Sequence, residues 1–261
     1  MQANALDLFA PGAGSLIALC GARVSGLMLV APVFSARLVP PMVKAGLVVL
    51  LTMLLTPVAG AHLAAAPALT PATVLAETMV GFVIGLGAAL LVGAAEAAGE
   101  LMAIQIGLSG ASIMDPVNQH QVPALGQLMQ MTALALLLSL DLHLVMIDAV
   151  AASTRVLPVG MEMDLAGGAM ALVRTGSTLF VLGLRFAAPV VAAVLIANVA
   201  LAILSRAAPQ LNVLSVAFPL QIGIGLFALA AALPFIGTFF TGWATVYDGM
   251  VGGVLRILGG G

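Results

Sequence analysis

From residue 207 to residue 247 the chain carries no Asp, Glu, Lys or Arg, and further charge-free runs cover 45–76, 78–95, 116–140 and 186–205. A helix crosses the ~30 Å hydrocarbon core with about 20 mostly apolar residues, each rising ~1.5 Å. These runs reach or approach that length. Their continuity also excludes a membrane β-barrel, whose strands alternate apolar and polar residues in segments of about ten. The fold class expected is therefore an all-α membrane protein with lipid as its main solvent. Composition agrees, since 62% of residues are hydrophobic and 7% charged, against roughly a quarter charged in a soluble domain. With net charge −2 and Lys44 as the only lysine, no nucleic-acid partner is expected, because that contact needs a basic footprint.

Prolines and residual polar residues divide the runs. Helices are expected near 14–31, 42–58, 72–106, 123–152, 168–206 and 211–257, with kinks at Pro189, Pro219 and Pro234. No signal-peptide pattern opens the sequence, because Asp7 comes first and the first basic residue, Arg23, lies inside the first apolar helix. Insertion is expected through the helices themselves. Basic residues are too evenly spread to assign an orientation.

Small residues recur every four positions at Gly81, Gly85, Ala89, Gly93 and Ala97, and again at Ala95, Gly99, Ala103 and Gly107. Helices in lipid associate by close backbone approach at such rows. The row predicts that helix 72–106 is enclosed, with Gly81, Gly85 and Gly93 at close contacts. Glu96 and Glu100 lie one turn apart on the same helix, and ionised groups at membrane depth cost at least ~2.5–3.5 kcal/mol each. These glutamates are expected to meet protein partners, and Asp141, Asp148, Arg174 and Arg185 pose the same requirement.

Enzymatic readings find little support. Paired glutamates without a neighbouring histidine, nucleophile or metal motif are weak grounds for catalysis. Gly107, Leu108, Ser109 and Gly110 spell G-x-S-G, similar to the nucleophile turn of rhomboid-type proteases, and His143 follows one helix later. A serine with a histidine base is a legitimate pair, but the helix after His143 lacks close-packing glycines. His62, His120 and His143 are scattered, so no metal or cofactor is expected, and no Walker loop occurs. The lone cysteine, Cys20, reads as an apolar packing residue. What does stand out is Gly107 to Pro123, where glycines, Asp115, Pro116 and polar residues interrupt the apolar pattern. Irregular backbone at membrane depth must line protein or a water-filled cavity, so this segment is the leading functional element.

The sequence resembles the FliR family of flagellar type III export proteins, related to the SctT proteins of injectisomes. The resemblance rests on "RVSGLMLVAPVFSARLVPPMVKAGLVVLLTMLLTP" from Arg23, on "GELMAIQIGLSGASIMDP" from Gly99, on "LPVG" at 157–160, and on "LSRAAPQLNVLSVAFPLQIGIG" around Arg206. It implies long kinked helices in hairpins: an N-terminal FliP-like part, residues 1–169, with a plug loop near 107–122, and a FliQ-like C-terminal helical hairpin, residues 170–261. It further implies a non-enzymatic subunit of the export gate in the bacterial inner membrane, within the flagellar basal body. Partners would be FliP-type and FliQ-type subunits, an FlhB-type switch protein and unfolded substrates in transit. Gly107, Leu108, Ser109, Gly110, Ile113, Met114, Asp115 and Pro116 would form the plug or gate. Gly110 replaces a bulkier residue often seen in the family, which shifts the closing role toward Ile113 and Met114. Glu96, Glu100 and Arg206 would be buried charges for subunit packing. The G-E, Q-x-G-L-S and D-P pattern favours the flagellar over the injectisome version. Alternatives of another class are a small-solute or proton-coupled transporter, for which inverted repeats are not seen, and a serine intramembrane protease.

Overall fold

The computed structural model describes residues 12–36, 39–61, 63, 65–108, 124–207 and 213–260. Among these, all regular structure is helical: α1 Ala13–Val30, α2 Pro32–Ser35, α3 Pro41–Gly60, α4 Pro71–Ile106, α5 Ala124–Ser139, α6 Leu142–Val156, α7 Leu165–Ala207, α8 Val213–Thr241 and α9 Trp243–Leu258. Four of them, α1, α3, α4 and α7, are long and apolar enough to cross a membrane, or five spans if the broken pair α5–α6 counts as one.

Helix starts follow local chemistry. Prolines open α2, α3 and α4, where the missing N–H has no intrahelical partner to lose. At α4 the Thr70 hydroxyl accepts the Thr73 N–H at 3.1 Å while Thr73 Oγ1 accepts the Thr70 N–H at 2.9 Å, a capping box with threonine in the place usually held by glutamate. Asp164 caps α7 through Oδ1 to the Gly167 N–H, 3.0 Å. Its own N–H reaches the Leu258 carbonyl at the end of α9, 3.0 Å.

Two of the expected helices are interrupted. The stretch expected as one helix from 123 to 152 breaks at Leu140–Asp141, where Asp141 adopts φ 54°. Aspartate is among the few residues that tolerate this left-handed conformation, and no proline or glycine marked the break. The stretch expected from 211 to 257 divides between Thr241 and Trp243. Pro189, Pro219 and Pro234 stand inside helices rather than ending them.

The chain forms two compact units, and α4, α5 and α7 run through both. One comprises residues 1–91, 137–177 and 243–261. In it α1 packs on α3, α3 on α6, and α9 on α6. Leu19, Cys20, Ala59 and Val159 form one buried cluster, so Cys20 is a packing residue there. Helix α9 buries Trp243, Tyr247, Val251, Val254, Leu255 and Leu258. The Tyr247 hydroxyl donates to the Ile84 carbonyl of α4 at 3.0 Å. Burial, and secondarily the Asp248 carboxylate, pushes that phenol above its ordinary range and keeps it a donor. The other unit comprises residues 92–136 and 178–242. There Gly183 of α7 faces the Ala94 carbonyl of α4, Gly225 of α8 faces Ile106, and Phe186 meets Phe240 edge to face at 6.2 Å. Asn198 of α7 and Gln221 of α8 hydrogen-bond to each other, a polar pair of the kind that joins apolar helices.

Candidate functional site

The main polar site is a buried knot around Arg23 in α1. Its Nε donates to Glu77 Oε2 of α4 at 2.6 Å, its first terminal nitrogen to Ser153 Oγ of α6 at 2.8 Å, and its second to the Leu157 carbonyl at 3.1 Å. The other carboxylate oxygen, Glu77 Oε1, accepts the Gly160 N–H at 2.8 Å. Arg23 and Glu77 are each only 2% exposed. The planar guanidinium suits this task because its donors fork in fixed directions. One cation thereby registers α1, α4, α6 and the 157–160 turn.

That turn explains the L-P-V-G run. Gly160, at φ 85°, holds the third position of a turn closed by the Met161 N–H to the Pro158 carbonyl, 3.2 Å. A positive φ there favours glycine. A side chain at 160 would also meet Pro67, whose Cβ lies 2.7 Å from an added methyl group. The turn is thus held both by shape and by the Glu77 carboxylate.

Directly beside the ion pair, α1 and α4 touch backbone to backbone. A Cβ placed on Gly81 would fall 1.8 Å from the Arg23 carbonyl oxygen, and one on Gly26 would fall 2.2 Å from the Thr78 carbonyl oxygen. At Gly85 the distances are 2.9 Å to the Leu27 oxygen and 3.0 Å to the Ala31 nitrogen. Gly93 departs from this pattern, with nothing within 4 Å of an added Cβ. By that position the α4 face carrying the row has passed the end of α1. Glu77, Gly81 and Gly85 therefore form one stripe of four-residue spacing that seats α1. Glu77 was not identified from the sequence, although it sits four residues before Gly81 as the only charge between two apolar runs.

The second glycine row also makes contact. A Cβ on Gly99 would lie 2.7 Å from the Leu125 carbonyl oxygen, and one on Gly126 2.8 Å from Glu100 Cγ. Here α4 and α5 run close enough for Gln130 Nε2 to donate to Glu96 Oε2 at 2.7 Å. Glu96 and Glu100 are half-buried. On the single chain Arg206 is exposed in the last turn of α7, where a cation complements the helix C-terminus. Gln130→Leu is expected to destabilise the purified protein by about 1–3 kcal/mol, since it strands a half-buried carboxylate, whereas Glu96→Gln keeps an acceptor and costs about half as much. Thermal melts in detergent would measure both, and equal losses would mean that the amide does not serve the carboxylate.

Of the residues expected in the plug, the structure describes two. Gly107, φ 85°, ends α4 with its N–H on the Ile104 carbonyl, 3.1 Å, and the Leu108 N–H returns to the Ala103 carbonyl, 3.0 Å. This paired closure stops a helix at a left-handed glycine. Leu108 is exposed. Ser109, Gly110, Ile113, Met114, Asp115 and Pro116 lie outside the described residues. So does the serine of the protease reading, while His143 sits in the first turn of α6 with Nδ1 buried. Among the described residues no cluster of His, Cys, Asp or Glu could hold a metal ion.

These features define a polytopic α-helical membrane protein whose helices are registered by a buried ion pair beside glycine contacts. Residues 15–245 match the family described as bacterial export proteins, family 1. The flagellar biosynthetic protein FliR of Escherichia coli K12 is 33% identical over 220 residues, covering 83% of this chain and 84% of that protein. FliR of Pectobacterium carotovorum is 34% identical over the same shares, and that of Bacillus subtilis 31% identical over 61% of this chain and 63% of its own length. The chain belongs to the FliR family of bacterial export proteins.

Proposed function

We propose that this protein is a subunit of the flagellar type III protein export gate in the bacterial inner membrane, forming part of the conduit for unfolded substrates. The family match over residues 15–245 carries this reading, and the relatives named above are all flagellar proteins, which favours the flagellar over the injectisome version. As a FliR-family protein with span-length apolar helices, the chain is a membrane-embedded component of the flagellar export apparatus. Its partners in the conduit are FliP-type and FliQ-type subunits, with an FlhB-type switch protein in contact. In this reading residues 170–261 act as a FliQ-like hairpin, whose legs are α7 and α8.

Residues 107–116 serve as the plug. A conduit wide enough for a polypeptide leaks ions unless an apolar constriction excludes water. Leu108, Ile113 and Met114 supply that constriction, while Gly107 and Gly110 allow it to withdraw. The end of α4 at a left-handed Gly107 supports this reading, because the apolar helix stops where the expected plug begins. Deleting residues 110–114 should raise ion permeability in cells carrying a verified complex, while Ser109→Ala should leave closure and export near wild type. An ion-tight deletion would remove the plug, and loss of all function in Ser109→Ala would revive the protease.

A further inference from the structure

Helix α9 presents two unlike faces. Trp243, Tyr247, Val251, Val254, Leu255 and Leu258 are buried, a recurrence every three or four residues that gathers them on one side of the helix. Thr245, Asp248, Gly249, Gly253 and Arg256 are exposed on the other. With 16 residues at ~1.5 Å each, α9 falls short of the ~30 Å hydrocarbon core, and its charged outer face is unsuited to lipid. It is therefore a helix bound to other helices. The seat is shaped for it. A Cβ added at Gly87 of α4 would lie 2.9 Å from Val251 Cγ2 and 3.2 Å from Tyr247 Cε2, and one at Gly168 of α7 would strike the Leu258 side chain. Gly249, Gly252 and Gly253 of α9 have nothing within 4 Å of an added Cβ, so the close fit is confined to the buried face. Two hydrogen bonds fasten the helix, the Tyr247 hydroxyl to the Ile84 carbonyl and the Asp164 N–H to the Leu258 carbonyl, both 3.0 Å.

We propose that α9 is a strap that closes its unit after the rest of that unit has formed, binding its seat as an amphipathic helix binds a hydrophobic groove. Chain order and contacts both carry this. The unit consists of residues 1–91, 137–177 and 243–261, so the parts that build the seat are synthesised before 178–242 and α9 only after them. The strap also completes a clamp on the connector between α6 and α7. That connector is held at the Leu157 carbonyl by Arg23 and at the Gly160 N–H by Glu77, whereas its far end, the Asp164 N–H, is held by the Leu258 carbonyl of α9. Helix α7 begins at the next residue, Leu165, so the strap fixes where that long helix starts. Without α9 the hollows at Gly87 and Gly168 would be uncovered and the Asp164 N–H would lose its acceptor.

The test keeps the full chain and inserts a site-specific protease sequence after Gly242, between α8 and α9, to be cut once the protein is folded in membranes. The cut α9 should stay with the chain through detergent purification, because its anchors and both hydrogen bonds are untouched. Gly87→Leu, which fills the seat, should lower the retained α9 at least about tenfold. Tyr247→Ala, which removes an anchor from the strap and leaves the seat intact, should do the same, and it decides the matter if Gly87→Leu yields no folded chain. Gly253→Leu, on the outer face, should retain α9 as the wild type does. Loss of α9 should also speed hydrogen exchange at the Asp164 amide at least about tenfold while the Gly160 amide, held by Glu77, stays within about twofold. Prompt loss of the cut wild-type helix, its retention in Tyr247→Ala, or an equal loss in Gly253→Leu would each overturn the strap. So would an unchanged Asp164 rate, or a Gly160 rate that rose as much, since α9 would then be either irrelevant to the connector or inseparable from the whole fold.

Discussion

Arg23→Met is expected to lower the stability of the folded chain by about 3–5 kcal/mol, because it leaves the Glu77 carboxylate buried without its cation. The folded-to-unfolded ratio would fall by more than about a hundredfold, which in cells means a several-fold loss of assembled protein. Glu77→Met should cost at least as much. It strands the guanidinium and also deprives the Gly160 N–H of its acceptor, worth a further ~1–3 kcal/mol. The double variant Arg23→Met with Glu77→Met should be less damaged than either change would suggest alone, because no buried charge is left unpaired. Glu77→Gln should fall between, keeping an oxygen for Gly160 but no charge for Arg23. Melting temperatures and folded yields of the four proteins in detergent provide the measurement, and simple additivity of the two single losses would refute the ion pair as a unit.

Gly81→Ala should cost about 3 kcal/mol or more, at the upper end of overpacking effects. The new methyl group would lie 1.8 Å from the Arg23 carbonyl oxygen, 2.8 Å from its carbon and 2.9 Å from the Leu27 nitrogen. All three are backbone atoms, so no side chain can rotate aside, and α1 must move bodily off α4. Glu77 lies one turn earlier on the same face, so the displacement would also stretch the ion pair. Gly81→Ala and Arg23→Met should therefore couple, their combined loss being smaller than the sum. Gly93→Ala provides the contrast, since nothing lies within 4 Å of its added Cβ. It should be neutral or slightly stabilising, by up to ~1 kcal/mol of helix propensity. If Gly93→Ala proved as damaging as Gly81→Ala in the isolated chain, the close crossing would not be what glycine is needed for.

Both predictions concern a site that was only half legible in the sequence. The Gly81–Gly85 spacing announced a close helix contact, and Arg23 stood out as a cation inside an apolar helix. Nothing local joined them. Arg23 and Glu77 are 54 positions apart, and Arg23 and Ser153 are 130 apart, so their pairing is a property of how three helices are stacked. The L-P-V-G run was recognisable as a motif, yet its role as the ligand of a carboxylate required the turn to be seen beside Glu77. The reverse holds at Glu96 and Glu100. Their shared face was legible, but the partner that reached Glu96 is an uncharged amide on the next helix, and Arg206 is exposed at the end of α7.

Long charge-free runs determined by themselves that the chain is helical and membrane-embedded, because in lipid each backbone amide must bond within its own segment. Local chemistry likewise marks the start of four of the described helices, through prolines at α2, α3 and α4 and the Asp164 cap of α7, since such signals involve residues only three or four apart. What only the tertiary structure decided is which helices touch, which glycines are used for contact, and which charges are neutralised. Those outcomes depend on the three-dimensional meeting of residues far apart in the chain, where desolvation makes one correct ion pair stable and every unpaired alternative costly. Asp141 shows the same division at the scale of one residue: its left-handed backbone breaks a helix that its neighbours' composition would have continued.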